Sequence, residues 1–382
     1  MRIPLSAPDI HESDIEAVSQ VLRSPHLSQG PKLEEFERSI AAYAGAPDAI
    51  AVSSGTSGLH LCIRALGIGE GDEVIVPSFT FIAAANAIRY ERALPVFVDI
   101  DSETLNLDPA RVESAITSRT RAIVAVHTFG CPAEMSSILE IARARGLVTV
   151  EDACEAFGAE YDGRKAGAMG DAGVFAFYPN KQITTGEGGA IVTRDSKLAG
   201  VLRSLRNQGR DSSGDWLDCS ELGYNYRIAE MNCALGVEQM KRSEGILARR
   251  EEIARSYQSR LSGNPDLVLP PLTQPRRRIS WFVYVVRLSS RFDRSHRDSI
   301  WEEMRSRGIG CGRYFAPIHL QPIYRTAAAA AGREDLSNTE STADRVLALP
   351  FFNRITETQI DEVCGALAEG LSIVNPVPAK AP

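Results

Sequence analysis

Three short segments of this chain hold residue types that could do chemistry together: an amine, a carboxylate, and a run of serine, glycine and threonine. Lys181 stands in Phe175-Ala-Phe-Tyr-Pro-Asn-Lys181-Gln-Ile-Thr-Thr-Gly-Glu-Gly-Gly189, where a β-rich run ends in a turn and a glycine-rich loop follows. An amine that must form an imine needs a rigid strand to aim it, pliant backbone beside it, and partial desolvation to favour its neutral, nucleophilic form. Taken alone, Lys181 could be one more solvated surface cation. Asp152 follows the apolar run Leu147-Val-Thr-Val150, so it falls at the carboxyl end of an expected parallel strand, where open α/β sheets bind ligands. There a carboxylate can keep a ring nitrogen protonated, or simply cap the next turn. Ser53-Ser-Gly-Thr-Ser-Gly58 lies between the strand Ala49-Ile-Ala-Val52 and the apolar helical run Leu59-His-Leu-Cys-Ile-Arg-Ala-Leu66. Small residues at a helix start expose free N–H groups to an anion, and the helix dipole favours it; an ordinary N-cap is the alternative. The segment is not a Walker loop, and Gly67-Ile-Gly-Glu-Gly71 follows a helix and reads as a turn. An imine-forming lysine, a partner for a pyridine nitrogen and a phosphate cradle are together what pyridoxal phosphate (PLP) requires.

At this point the chain resembles the DegT/StrS sugar aminotransferases, PLP enzymes of the type I, aspartate-aminotransferase fold. The resemblance runs over nearly the whole chain: Ile3-Pro-Leu-Ser, Gly71-Asp-Glu-Val-Ile-Val-Pro-Ser-Phe-Thr-Phe81, Pro95-Val-Phe-Val-Asp99, Glu151-Asp-Ala153, Lys181 with Thr185-Gly-Glu-Gly-Gly189, Gly223-Tyr-Asn-Tyr-Arg227, and Pro317-Ile-His-Leu-Gln-Pro322. It implies that Lys181 forms the Schiff base and moves the substrate proton, that Asp152 pairs with the pyridinium, and that Phe81 stacks on the ring. It implies that Gly55, Thr56 and Ser57 hold the phosphate and that Asn225 reaches that phosphate from a neighbouring subunit, so the working unit is a homodimer with shared sites. Glu155 occupies a position that the family often fills with Gln or His, and with Glu in members resembling GDP-perosamine synthase. Its expected contact is the ring hydroxyl or the substrate, and His319, Tyr178 and Arg227 are further substrate-side candidates. Ala176 departs from the family, many of whose members carry a phosphate-binding Ser there; Tyr178, Asn180 or the partner's Asn225 would have to supply that donor.

The elements that must position these residues alternate. Apolar strands are expected at 49–53, 73–76, 94–98, 121–126, 147–151, 172–177 and 190–193, with helical runs such as 56–66, 133–145 and 228–242 between them. Such alternation predicts a mostly parallel seven-stranded sheet sandwiched by helices, an α/β fold. The large PLP-binding domain is placed at 1–245 and a smaller C-terminal α+β domain at 246–382, with a strand at 281–288 and helices near 295–307, 338–347 and 356–371. The alanine run 327–331 reads as a surface helix or loop, and the tail 375–382 as disordered or extended.

Composition sets the outer limits. The 382 residues are 44% hydrophobic and 24% charged, enough for an ample core, and a net charge of −7 without a basic stripe argues against a nucleic-acid surface. Arg276-Arg-Arg278 is a local cluster, read as solvated loop before a site for substrate phosphates. Seven scattered cysteines without a C-x-x-C pair read as reduced, mostly buried thiols, and six histidines without metal spacing give no metal centre. No apolar run reaches the roughly 20 residues of a membrane span, and no signal pattern opens the chain, so a cytoplasmic enzyme is expected. The expected reaction moves an amino group from an amino acid, L-glutamate in the family, to a nucleotide-linked keto sugar such as a 4-keto-6-deoxyhexose, with PLP cycling through pyridoxamine phosphate. An aminocyclitol aminotransferase and a PLP-dependent dehydratase are the alternatives, although the family's dehydratases replace the lysine with His. A PLP-binding regulatory protein would not need Lys181, Asp152 and the phosphate loop all intact.

Overall fold

In the computed structural model, residues 1–210, 218–325 and 335–374 are described. Strands β1 (Asp48–Val52), β2 (Glu73–Pro77), β3 (Leu94–Val98), β4 (Thr120–Val126) and β5 (Val148–Asp152) are followed by a short hairpin, β6 (Glu160–Tyr161) and β7 (Arg164–Lys165). Then come β8 (Ala172–Ala176) and β9 (Gly189–Thr193). Seven of these form one sheet in the order β1-β9-β8-β5-β4-β2-β3. Its pairs are parallel from β8 through β5, β4 and β2 to β3, whereas β9 runs antiparallel to both β1 and β8. The fold is α/β with a mostly parallel sheet, as alternation implied. These strands are buried almost throughout, which is why they read as continuous Val/Ile/Ala runs rather than as alternating patterns.

The topology gathers the chemistry at one edge. Because β9 is reversed, its first residue, Gly189, pairs with the carboxyl-terminal residues of β1 and β8, which lead into the segments that begin at Ser53 and Phe177, and parallel β5 ends at Asp152 on the other side of β8. Close packing requires glycine here. A Cβ on Gly189 would lie 2.7 Å from Ser54 C and 2.8 Å from Gly55 N, and one on Gly55 2.7 Å from Ala176 Cβ.

The C-terminal part carries a three-stranded antiparallel sheet of β10 (Leu267–Val268), β12 (Tyr284–Leu288) and β13 (Val346–Leu349), while β11 (Arg277–Arg278) pairs with β6. One expectation is corrected here. The helix placed at 338–347 ends at Ala343, and Val346–Leu349 is a buried strand paired with β12, a four-residue apolar run too short for periodicity to separate from a helix end. The expected domain boundary is at 245/246. The helix Ser243–Leu261 runs through that point, and Ile3 bridges Ile309 and packs in the C-terminal core with Ile253, Met304 and Leu367. The expectations at 327–331 and 375–382 lie outside the described residues.

Candidate active site

Asp152 closes β5, and its side chain sits 7% exposed at the sheet edge. The residue before it organises that edge. Glu151 is fully buried and accepts from His127 Nε2 (2.9 Å) and from the N–H groups of Gly167 (2.8 Å), Met169 (2.6 Å) and Gly170 (2.6 Å). Burial pushes its carboxyl up, but the His127 contact and these backbone donors together hold it below the ordinary range. His127 Nδ1 accepts from Ala133 N–H (3.0 Å), so the ring proton sits on Nε2 and points at Glu151. His127 N–H in turn donates to Asp152 O (3.0 Å), completing the frame around the strand end.

Lys181 follows β8, the neighbour of β5. Its turn closes through Lys181 N–H to Tyr178 O (2.9 Å), and the loop folds back on itself through Thr185 N–H to Phe177 O (2.9 Å). Gln182 fixes the loop from below, donating to Glu155 O (2.6 Å) and Ser280 Oγ (3.0 Å). Lys181 Nζ lies 3.7 Å from Glu155 Oε1 and 4.1 Å from the centroid of the Phe282 ring. Glu155 also accepts from Phe129 N–H (3.0 Å). Burial raises its carboxyl above the ordinary value; Lys181 and the Phe129 donor only partly offset that.

Lys181, Asp152 and Glu155 line one cavity of about 440 Å³, together with Gly55 and Thr56 at the start of the helix Gly55–Ala65. Phe81 and Tyr178 also line it and are 60% and 51% exposed, while Phe282, Tyr314 and Phe315 contribute aromatic wall from the C-terminal part.

The chain is matched by the model of the DegT/DnrJ/EryC1/StrS aminotransferase family over residues 8–368. It belongs to that family. GDP-perosamine synthase of Caulobacter vibrioides is 40% identical over 372 residues, 97% of this chain and 98% of that protein. Among solved structures, DesV of S. venezuelae, in complex with a ketimine intermediate, matches with a TM-score of 0.89 at 38% identity, covering 98% of this chain and 100% of that one. PseC of Helicobacter pylori, an aminotransferase involved in the biosynthesis of pseudoaminic acid, gives a TM-score of 0.92 at 27% identity, covering 98% and 100%.

As a DegT-family aminotransferase the chain uses PLP, and the cavity suits that group. Asp152 is buried without an ion-pair partner among the described residues, a costly arrangement that a protonated ring nitrogen would relieve. An amine stands in the same cavity, and a helix start with Gly55 and Thr56 offers N–H groups to a phosphate.

The other site candidates separate. Ser57 does not line the cavity: it is buried, its N–H donates to Ser54 Oγ (3.0 Å), and its hydroxyl bonds Ser53 and Ser54. Ser54, the actual N-cap, lines the cavity in its place. His319 is also away from the cavity. Its Nδ1 lies 2.7 Å from the buried Ser78 Oγ and its Nε2 3.1 Å from Glu340, so it ties the segment after Pro317 to the end of β2. Arg227 donates to Asn207 Oδ1 (2.9 Å) and does not line the cavity. Asn225 is exposed and also lies outside its own chain's cavity. The Arg276–Arg278 cluster is engaged internally, by Asp162, Glu134, Glu160 and Glu244. Cys154, one of the seven cysteines, lines the cavity, with its thiol raised by burial and by the nearby Asp152 charge. Phe282, Tyr314 and Phe315 escaped the sequence reading because nothing in their local spacing distinguishes a wall residue from core.

Proposed function

We propose that this aminotransferase moves an amino group from an amino acid, L-glutamate by family resemblance, to a nucleotide-linked 4-keto-6-deoxyhexose. The observation that carries the reading is the convergence of Lys181, Asp152 and Glu155 in one cavity, in a chain 40% identical end to end to a GDP-perosamine synthase. When bound, PLP supplies an electron sink for charge that develops at the reacting carbon. The Lys181 amine, aimed by β8 and its folded-back loop, would move a proton between the substrate carbon and the cofactor, in one direction for the amino donor and in the other for the acceptor. Asp152 holds a proton on the ring nitrogen by opposing its charge, and Gly55 and Thr56 bind the phosphate through their N–H groups. Glu155, 3.7 Å from the Lys181 amine, binds the ring hydroxyl or the substrate, and Phe81 covers a ring face. Tyr178 stands where it can meet the sugar.

The homodimer belongs to the same proposal: Asn225, exposed and apart from its own cavity, completes the phosphate site of a second copy. Within one chain His319 is engaged by Ser78 and Arg227 by Asn207, so neither meets the substrate in that chain's own cavity. Incubating the holoenzyme with glutamate and a panel of nucleotide-linked keto sugars, then weighing products, tests the acceptor. Amination of a 4-keto-6-deoxyhexose is expected. Turnover confined to cyclitol ketones, or dehydration without nitrogen transfer, would overturn the assignment.

A further inference from the structure

Away from the cavity lies a partly buried polar cluster that the chemistry above does not use. His60, on the helix Gly55–Ala65, places Nε2 2.7 Å from Glu91 Oε1 and Nδ1 2.9 Å from the Tyr226 hydroxyl. The Tyr224 hydroxyl donates to the same Glu91 oxygen (2.9 Å), and Arg64 donates to the other (3.3 Å). A carboxylate only accepts, so Nε2 carries the proton and, in a neutral ring, Nδ1 accepts from Tyr226. The two tyrosine rings stack at 5.1 Å with an interplanar angle of 10°, and both pack against the His60 ring.

These tyrosines flank Asn225. The backbone between them is extended: Asn225 bridges antiparallel to Asn207, Tyr224 N–H donates to Leu205 O (2.7 Å), and Gln208 N–H donates to Tyr224 O (2.9 Å). Successive side chains of extended backbone point to opposite sides. With Tyr224 and Tyr226 turned inward to His60 and Glu91, Asn225 between them is turned outward, and it is exposed.

We infer that His60, Glu91, Tyr224 and Tyr226 are positioning residues, a clamp that sets how Asn225 is presented to a second copy of the chain. Resting on the shared-site reading above, this makes the cofactor affinity of one subunit depend on partly buried groups of the other. The clamp also has a route to its own site, since Ser53 N–H donates to Tyr226 O (2.9 Å) one residue before the N-cap. The test must therefore separate the two routes.

Glu91→Ala removes all three contacts, and Tyr224→Phe removes one while keeping the ring stack, which covers the case in which the first variant does not fold. Each is combined in mixed dimers with Lys181→Ala, whose clamp is intact. PLP fixed by borohydride, which only the site bearing Lys181 can give, is measured against PLP concentration. Variant homodimers should need about three- to tenfold more PLP for half-saturation, the scale of one or two lost hydrogen bonds. Mixed dimers should return to the wild-type value. Unchanged homodimers, or mixed dimers that stay weak, would overturn the clamp. Asn225→Asp in the same mixtures separates the failures: if its defect is rescued and that of Glu91→Ala is not, the clamp falls and the shared site stands. If neither is rescued, the shared site itself is wrong.

Discussion

Asp152 and Glu155 are two carboxylates three residues apart that the fold treats differently. Asp152, at the strand end, accepts from Cys154 N–H (3.1 Å) and waits for a cationic partner, whereas burial biases Glu155 toward its protonated form. Asp152→Asn keeps the shape and removes the charge, so the variant should fold normally. It should lose about 10²–10³ in kcat, the scale of one positioned electrostatic contact; near-wild-type turnover would make Asp152 a structural cap. For Glu155 the sign follows from linkage. Its folded-state value lies above the ordinary 4.5, so between those two values the native state binds more protons than the unfolded chain, and native stability falls as pH rises. Glu155→Gln removes that loss. Apoenzyme melting temperatures for the two proteins should coincide near pH 4 and separate in favour of Glu155→Gln as pH rises above the ordinary carboxylate range; a gap that is constant with pH contradicts the burial argument.

The elements explain what the sequence could and could not reveal. Lys181, Asp152 and the Gly55–Thr56 turn were legible because each lies at or a few residues past the end of a buried strand, and buried strands announce themselves as apolar runs. Sequence cannot tell which serine of Ser53-Ser-Gly-Thr-Ser57 caps the helix: with Ser54 taking the cap, the Ser57 N–H is already satisfied. His319 sat in a motif that resembles the family, but its two ring contacts depend on Ser78 and Glu340, distant in sequence. The reversed direction of β9 left no local mark either, yet it brings Gly189 against Ser54 and Gly55. Gly189→Ala should therefore displace the phosphate turn. Backbone atoms at 2.7–2.8 Å cannot yield as a flexible side chain would, so PLP binding should weaken and stability should drop by about 1–3 kcal/mol. Equilibrium dialysis and denaturant unfolding measure both, and a variant unchanged in each would show that the contact relaxes freely.

At the scale of the whole molecule, one chain supplies a cavity and presents Asn225 elsewhere. A two-fold dimer repeats every contact, so each Asn225 would face the other subunit's site. Lys181→Ala and Asn225→Asp homodimers should both be nearly inactive, the second because its carboxylate repels a phosphate. Mixed together, they should regain activity, since one site in each mixed dimer contains neither change. No recovery despite demonstrated subunit exchange would contradict sharing. Among the described residues no helix is long and apolar enough to cross a membrane.

The central claim is that Lys181 is the amine of this site, and chemical trapping tests it most directly. Borohydride reduction of the holoenzyme, followed by proteolysis and peptide mass mapping, should find the PLP adduct on Lys181 alone, and Lys181→Ala should show neither adduct nor turnover. An adduct on any other lysine, or turnover retained by Lys181→Ala, would contradict the account.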